Sequence, residues 1–157
     1  MTTLSRLLPS KPATQRLAAE LSPLLRGGDL LLLEGPLGAG KTFFARALLR
    51  SLGLAGDARV TSPTFTLVNE YETEPKLVHA DLYRLGDDQR AVFELGLVGQ
   101  RDEGALLVVE WGLPFERLLG GDALRLTLAR QPRSATFSAT GPRSRQLLEA
   151  LSRTLIE

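Results

Sequence analysis

The chain has 157 residues, 43% hydrophobic and 24% charged, with a net charge of +1. That length and balance suit one domain around a single core, and give no global field for gripping nucleic acid or a membrane surface. The absence of cysteine excludes disulfides and thiolate metal sites and agrees with a reducing compartment.

Met1–Ser10 has neither a long apolar core nor a small-residue cleavage site, so no signal peptide is expected. No apolar run is long enough to span a bilayer, and the expected location is the cytoplasm. Pro12–Leu25 places Leu17, Ala18, Leu21, Leu24 and Leu25 on one helical stripe, which Gly27-Gly28 ends. Asp29–Glu34 reads as a strand; its Leu30–Leu33 run is apolar on both faces, as a central parallel strand must be. Gly35-Pro36-Leu37-Gly38-Ala39-Gly40-Lys41-Thr42 follows, and Thr42–Leu52 then reads as a helix stopped by Gly53.

Pro63 bars Arg59–Thr64 from being a central strand. Phe65–Tyr71 and Lys76–Tyr83 alternate as strands joined by a turn at Glu72–Pro75. Asp87–Leu95 is a short helix ended by Gly96. Ala105–Val109 is a second fully apolar strand, running into Glu110-Trp111. Ala123–Ala129 and Ser134–Thr140 form a hairpin about Gln131–Arg133, and a last helix runs from Pro142 to Leu155. The predicted fold is α/β: a P-loop NTPase-like three-layer sandwich over residues 1–157, its mixed sheet parallel at the centre with antiparallel hairpins at the edges.

The Gly-x4-Gly-Lys-Thr spacing between a strand and a helix is a Walker A phosphate loop. Its glycines let successive N–H groups turn inward on a phosphate chain, aided by the positive end of the following helix. Lys41 reaches the β- and γ-phosphates, and the Thr42 hydroxyl ligates Mg²⁺. No lysine begins the Lys-x-Asp half of a guanine signature, so ATP is the expected nucleotide.

A Mg²⁺–nucleotide site also needs a strand-end carboxylate. Glu110 closes the run Leu106–Val109 as a Walker B acid does, and Asp81 closes the weaker run Leu77–Ala80. An economical division gives the metal to Glu110, directly or through water, and the attacking water to Asp81. Period-2 geometry puts His79, Asp81 and Tyr83 on one strand face and Ala80, Leu82 and Arg84 on the other. His79, the sole histidine, is either a hydrogen-bonded structural residue or a base. Thr61–Thr66 is either a capped turn or a hydroxyl-bearing segment that senses the γ-phosphate.

The loop, Ser62-Pro63-Thr64-Phe65, His79-Ala80-Asp81-Leu82-Tyr83-Arg84 and Glu110-Trp111 together resemble the bacterial TsaE (YjeE) family, in order and spacing across most of the chain. That family is a small ATPase needed for threonylcarbamoyladenosine formation on tRNA. The resemblance implies that Gly35, Leu37, Gly38, Ala39, Gly40, Lys41, Thr42 and Phe43 hold ATP, and that Thr42 and Glu110 bind Mg²⁺. It implies catalytic roles for Lys41, Asp81 and Glu110, a switch at Ser62–Phe65 that brings Thr64 to the nucleotide, and Trp111 beside it. Lys11, Thr14 and Arg133 would flank the adenine. Where the family usually carries an acidic residue after the first loop glycine, this chain has Pro36, which has no N–H to offer a phosphate.

The implied partners are the TsaB and TsaD proteins, with tRNA reached indirectly and neither DNA nor a membrane involved. Tyr83 and Arg84 are candidate partner-facing residues. Two other functions stay open on the residues alone. One is a small-molecule kinase, for which Arg143 and Arg145 could mimic a lid, although their place at a helix start favours solvated residues. The other is a nucleotide-dependent binding switch with negligible turnover.

Overall fold

A computed structural model describes residues 3–156, with side chains to 154. The predicted extent 1–157 and the leader-free reading of Met1–Ser10 also include residues 1, 2 and 157, which lie outside the described residues. The elements are β1 (Thr3–Leu7), α1 (Lys11–Leu21), β2 (Leu30–Glu34), α2 (Lys41–Ser51), β3 (Val68–Tyr71) and β4 (Leu77–Asp81), followed by α3 (Gln89–Glu94), α4 (Leu97–Asp102), β5 (Leu106–Glu110), β6 (Ala123–Arg130), β7 (Arg133–Ala139) and α5 (Pro142–Ile156). No described helix is long and apolar enough to cross a membrane.

The seven strands form one sheet in the order β1-β7-β6-β2-β5-β4-β3. The four central strands β6, β2, β5 and β4 are parallel, while β3, β7 and β1 join antiparallel at the edges. Leu31, Leu33, Leu106 and Val108 face α1, α2 and α5, while Leu30, Leu32, Leu107 and Val109 pack with Val92 of α3 and Leu97 of α4. The sheet is therefore the middle of three layers, and its central strands are apolar on both faces.

Several boundaries differ from the sequence expectation. The first helix stops at Leu21 and tightens into a 3₁₀ turn at Ser22–Leu24 around Pro23. Phe65 and Thr66 lie in a turn, because Leu67 adopts a left-handed φ of 67° and pairing starts only at Val68. β4 ends at Asp81, so Tyr83 is not on its face but in a 3₁₀ turn, Tyr83–Leu85. α4 follows α3 across Gly96, where the sequence showed one helix. β1, whose short row of half-exposed residues carries little hydrophobic signal, takes its place by pairing with β7.

Arg143 also departs from expectation. Arg145 is exposed, but the Arg143 guanidinium donates to Asp29 at 2.9 and 3.1 Å and to the Leu24 carbonyl at 2.8 Å. Asp29 is 4% exposed and also accepts the Arg26 N–H. Asp29 lies at the start of β2, the end away from the phosphate loop, so Arg143 ties α5 to the sheet and forms no lid. Arg143→Met should destabilise the fold by about 3 kcal/mol in urea unfolding, because it strands a buried carboxylate. A loss under about 1 kcal/mol would show that Asp29 is satisfied without it.

Candidate phosphate-loop site

Strand register builds the site. Leu33 of β2, Glu110 of β5 and Asp81 of β4 are successive Cα partners across the sheet. Partners share a face, so both carboxylates emerge on the side covered by α2, where the apolar rows of β5 and β4 run out. β2 instead continues through Glu34 into the loop. There Gly35, Gly38 and Gly40 take φ values of 139°, 79° and 104°. A Cβ at Gly35 would overlap the Leu128 carbonyl oxygen, so close packing on β6 as well as conformation demands glycine. Pro36 serves the turn with its carbonyl, which accepts the Ala39 N–H at 3.1 Å.

Thr42 occupies the first turn of α2, with its hydroxyl 3.5 Å from Glu110 Oε2. Lys41 folds back over the loop, donating to the carbonyls of Gly35 and Pro36, with Nζ 4.2 Å from the centre of the Trp111 ring. Burial lowers the Lys41 pKa, and the nearby charges of Glu110, Asp81 and Glu34 oppose that shift. Burial also raises Asp81, opposed by the Tyr83 N–H, reinforced by Glu110 and opposed by Thr64. Thr64 Oγ1 donates to Asp81 Oδ2 at 3.4 Å and the Tyr83 N–H to Oδ1 at 3.0 Å, so Asp81 is held by the hydroxyl segment on one side and the turn after β4 on the other.

Trp111 has a left-handed φ of 59°, costly for a bulky side chain. The chain must turn there because Gly112 lies against Val109 and Leu32, where a Cβ would meet atoms at 2.7 and 3.0 Å. The turn tilts Trp111 against Tyr83, with ring centroids 4.9 Å apart.

All the assigned residues except Gly35, which packs on β6, line two adjoining cavities. One, of about 260 Å³, is lined by Leu37, Gly38, Gly40, Lys41, Thr42, Phe43, Thr64, Asp81, Glu110 and Trp111. The other, of about 290 Å³, is lined by Lys11, Thr14, Gly38, Ala39, Gly40, Phe43 and Arg133 together with Leu8, Pro9, Ser10, Leu128 and Ala129. They share Gly38, Gly40 and Phe43, and Lys11 Nζ lies 5.8 Å from the Phe43 ring centre. A larger cavity, about 500 Å³ between β1 and α1, shares Leu8 and Pro9 with the second but contains none of the assigned residues. Phe65 is 83% exposed with the Arg84 guanidinium 5.7 Å from its ring centre, and Tyr83 is exposed as well.

Two residues gain a place that sequence had not assigned. Glu34 accepts the Leu113 N–H at 3.1 Å, and burial raises its pKa. As the last strand residue before the loop it could have been found by the same strand-end logic as Glu110. His79 is fully buried, with Nε2 2.6 Å from Glu110 Oε2. Among the described residues no cluster of three or more His, Asp or Glu side chains could cage a metal. Thr42 and Glu110 fit Mg²⁺ instead, which commonly takes one or two protein oxygens beside substrate phosphates and water.

A sequence model of the family described as "Threonylcarbamoyl adenosine biosynthesis protein TsaE" matches residues 8–137. The TsaE protein of Aquifex aeolicus is 45% identical over 106 residues, 67% of this chain and 74% of its own. That of Bacillus subtilis is 36% identical over 144 residues, 89% of this chain and 88% of its own. The crystal structure of Bacillus subtilis YdiB superposes with a TM-score of 0.81 at 31% identity, covering 98% of this chain and 97% of that one.

The raised pKa of Asp81 fixes a sign. The folded chain keeps this proton to higher pH than the unfolded chain, so the ionised side chain costs stability above the ordinary carboxylate range and costs nothing below it. Asp81→Asn should therefore raise the urea midpoint at about pH 7 and leave it unchanged near pH 3, below the ordinary carboxylate pKa. A lower midpoint at neutral pH would mean that the Tyr83 and Thr64 hydrogen bonds outweigh desolvation.

Proposed function

The chain belongs to the TsaE family, and from that premise we propose that it binds and hydrolyses Mg²⁺–ATP in support of threonylcarbamoyladenosine formation on tRNA, acting on a TsaB–TsaD pair. One observation carries the ATPase reading: Lys41, the Thr42–Glu110 pair and the Thr64–Asp81 pair converge on one cavity at the mouth of the phosphate loop. The adjoining cavity at Lys11, Thr14, Phe43 and Arg133 offers a partly apolar slot for adenine.

Each residue then has a distinct task. Lys41 exchanges the carbonyls of Gly35 and Pro36 for phosphate oxygens, sliding away from Trp111 as it does so. The loop N–H groups and the start of α2 hold the remaining phosphate charge. Three carboxylates, Glu110, Asp81 and Glu34, act on this one ammonium, while the Arg130 and Arg133 guanidiniums at the loop carbonyls of Leu37 and Ala39 add positive charge beside it. Thr42 and Glu110 would hold Mg²⁺, which would supply positive charge against that of the phosphates. Asp81, made more basic by burial, orients a water molecule and accepts its proton as the oxygen attacks the γ-phosphorus and the bond to ADP breaks. Thr64 links that carboxylate to the exposed segment around Phe65, so a partner seated on Phe65 and Tyr83 can adjust the position of Asp81.

Glu110→Ala should raise the Mg²⁺ needed for half-maximal nucleotide binding at least tenfold. Asp81→Ala should leave nucleotide affinity within twofold and lower phosphate release by about 10² or more. Parent-like binding and turnover in both variants would overturn the assignments. The role itself is tested by reconstituting tRNA modification with purified TsaB, TsaD and the adenylate-forming enzyme. Multiple-turnover product should need both this chain and hydrolysable ATP; equal yield without the chain would contradict the reading.

A further inference from the structure

One layer beneath the site, Leu124, Leu31, Val108 and His79 are successive Cα partners across β6, β2, β5 and β4. The first three belong to the apolar cluster beneath α1 and α2. His79 stands in their row at 0% exposure. An imidazole here forfeits hydration that a leucine would not need, so its partner decides what it does.

That partner is Glu110. Asp81 faces Glu110 directly, and His79, two residues earlier on the same face, reaches the same carboxylate diagonally. Its Nε2 lies 2.6 Å from Glu110 Oε2, whereas Nδ1 is buried without a hydrogen-bond partner. One tautomer fits both facts. Nε2–H donates to the carboxylate and Nδ1 keeps its lone pair, because a protonated Nδ1 would be a buried donor with no acceptor. The Thr42 hydroxyl reaches the same oxygen at 3.5 Å. Among the described residues no hydrogen bond engages Oε1.

We propose that His79 is a positioning residue for the divalent-cation site: its Nε2–H fixes the rotation of the Glu110 carboxylate and leaves the free acceptor capacity of that group for the cation beside Thr42. This inference rests on the Mg²⁺–nucleotide reading above. Without the imidazole, Glu110 would be a buried acceptor short of its strongest donor, free to turn towards Thr42 or away from the loop.

The test titrates Mg²⁺ against binding of a fluorescent ATP analogue, with a parallel measurement in EDTA. His79→Leu, which matches the size of its neighbour Leu31, should raise the half-saturating Mg²⁺ by about 10- to 100-fold while leaving affinity in EDTA within twofold. His79→Gln places an amide N–H near the former Nε2 and should recover most of the parental Mg²⁺ response. His79→Asn, whose amide falls nearer Nδ1, should not, and this Gln–Asn contrast serves if His79→Leu does not fold. Because the chain has one histidine, ¹⁵N NMR of the parent reports a single ring, expected as the Nε2–H tautomer. An unchanged Mg²⁺ requirement in folded His79→Leu, equal behaviour of the Gln and Asn variants, or an Nδ1–H tautomer would overturn the assignment. A parent whose nucleotide binding ignores Mg²⁺ would instead sink the metal reading, and this inference with it.

Discussion

The in-register ending of β2, β5 and β4 is the constraint on which the rest of the structure depends. Parallel strands covered on both faces are apolar along most of their length, so a polar group enters where the covering helices stop or, like His79, must bond to one that does. Here Leu33, Glu110 and Asp81 lie in one transverse row, which brings two acids from distant parts of the chain to the same level beside the start of α2. The loop leaving β2 opens at that same edge. One boundary between core and solvent thus sets the geometry and also the charge behaviour, because the burial that shapes the site lowers Lys41 and raises Asp81 and Glu34.

Much of this was legible in the residues. The apolar runs Leu30–Leu33 and Leu106–Val109 announced central strands, and each was punctuated by the chemistry that followed it. Gly35–Thr42 carries its conformational demands in its glycines, and the acids at 81 and 110 mark strand ends because no apolar strand tolerates them inside. What escaped depends on tertiary partners. β1 exists because β7 offers it an edge, and α4 is separated from α3 by a single left-handed glycine. Arg143 looked like a solvated helix residue because its partner Asp29 lies 114 positions away in sequence. His79 was ambiguous for the same reason: alternation gave its face, but only the cross-strand register shows that it meets Glu110 in an otherwise apolar row.

The segment that follows α2 connects this rigid boundary to the surface. Pro63 is buried while Phe65, two residues on, is almost fully exposed, and Thr64 between them bonds to Asp81. On the other side of the cavity, Trp111 is forced into a left-handed conformation and packs between Lys41 and Tyr83. Both the loop lysine and the strand-end acid therefore contact residues that continue to the exposed rim formed by Phe65, Tyr83 and Arg84. Family membership gives that rim a context, the biosynthesis of threonylcarbamoyladenosine on tRNA.

The proposed metal–phosphate site lies between the end of β5 and the start of α2. The most direct measurement is anomalous diffraction at the manganese edge from crystals grown with Mn²⁺ and a non-hydrolysable ATP analogue. A single strong peak is expected, bonded to the Thr42 hydroxyl, with Glu110 as a direct or once-removed ligand and Lys41 turned onto the phosphates. A peak held by Asp81 with Glu110 uninvolved, or nucleotide bound with no metal at Thr42, would contradict that placement.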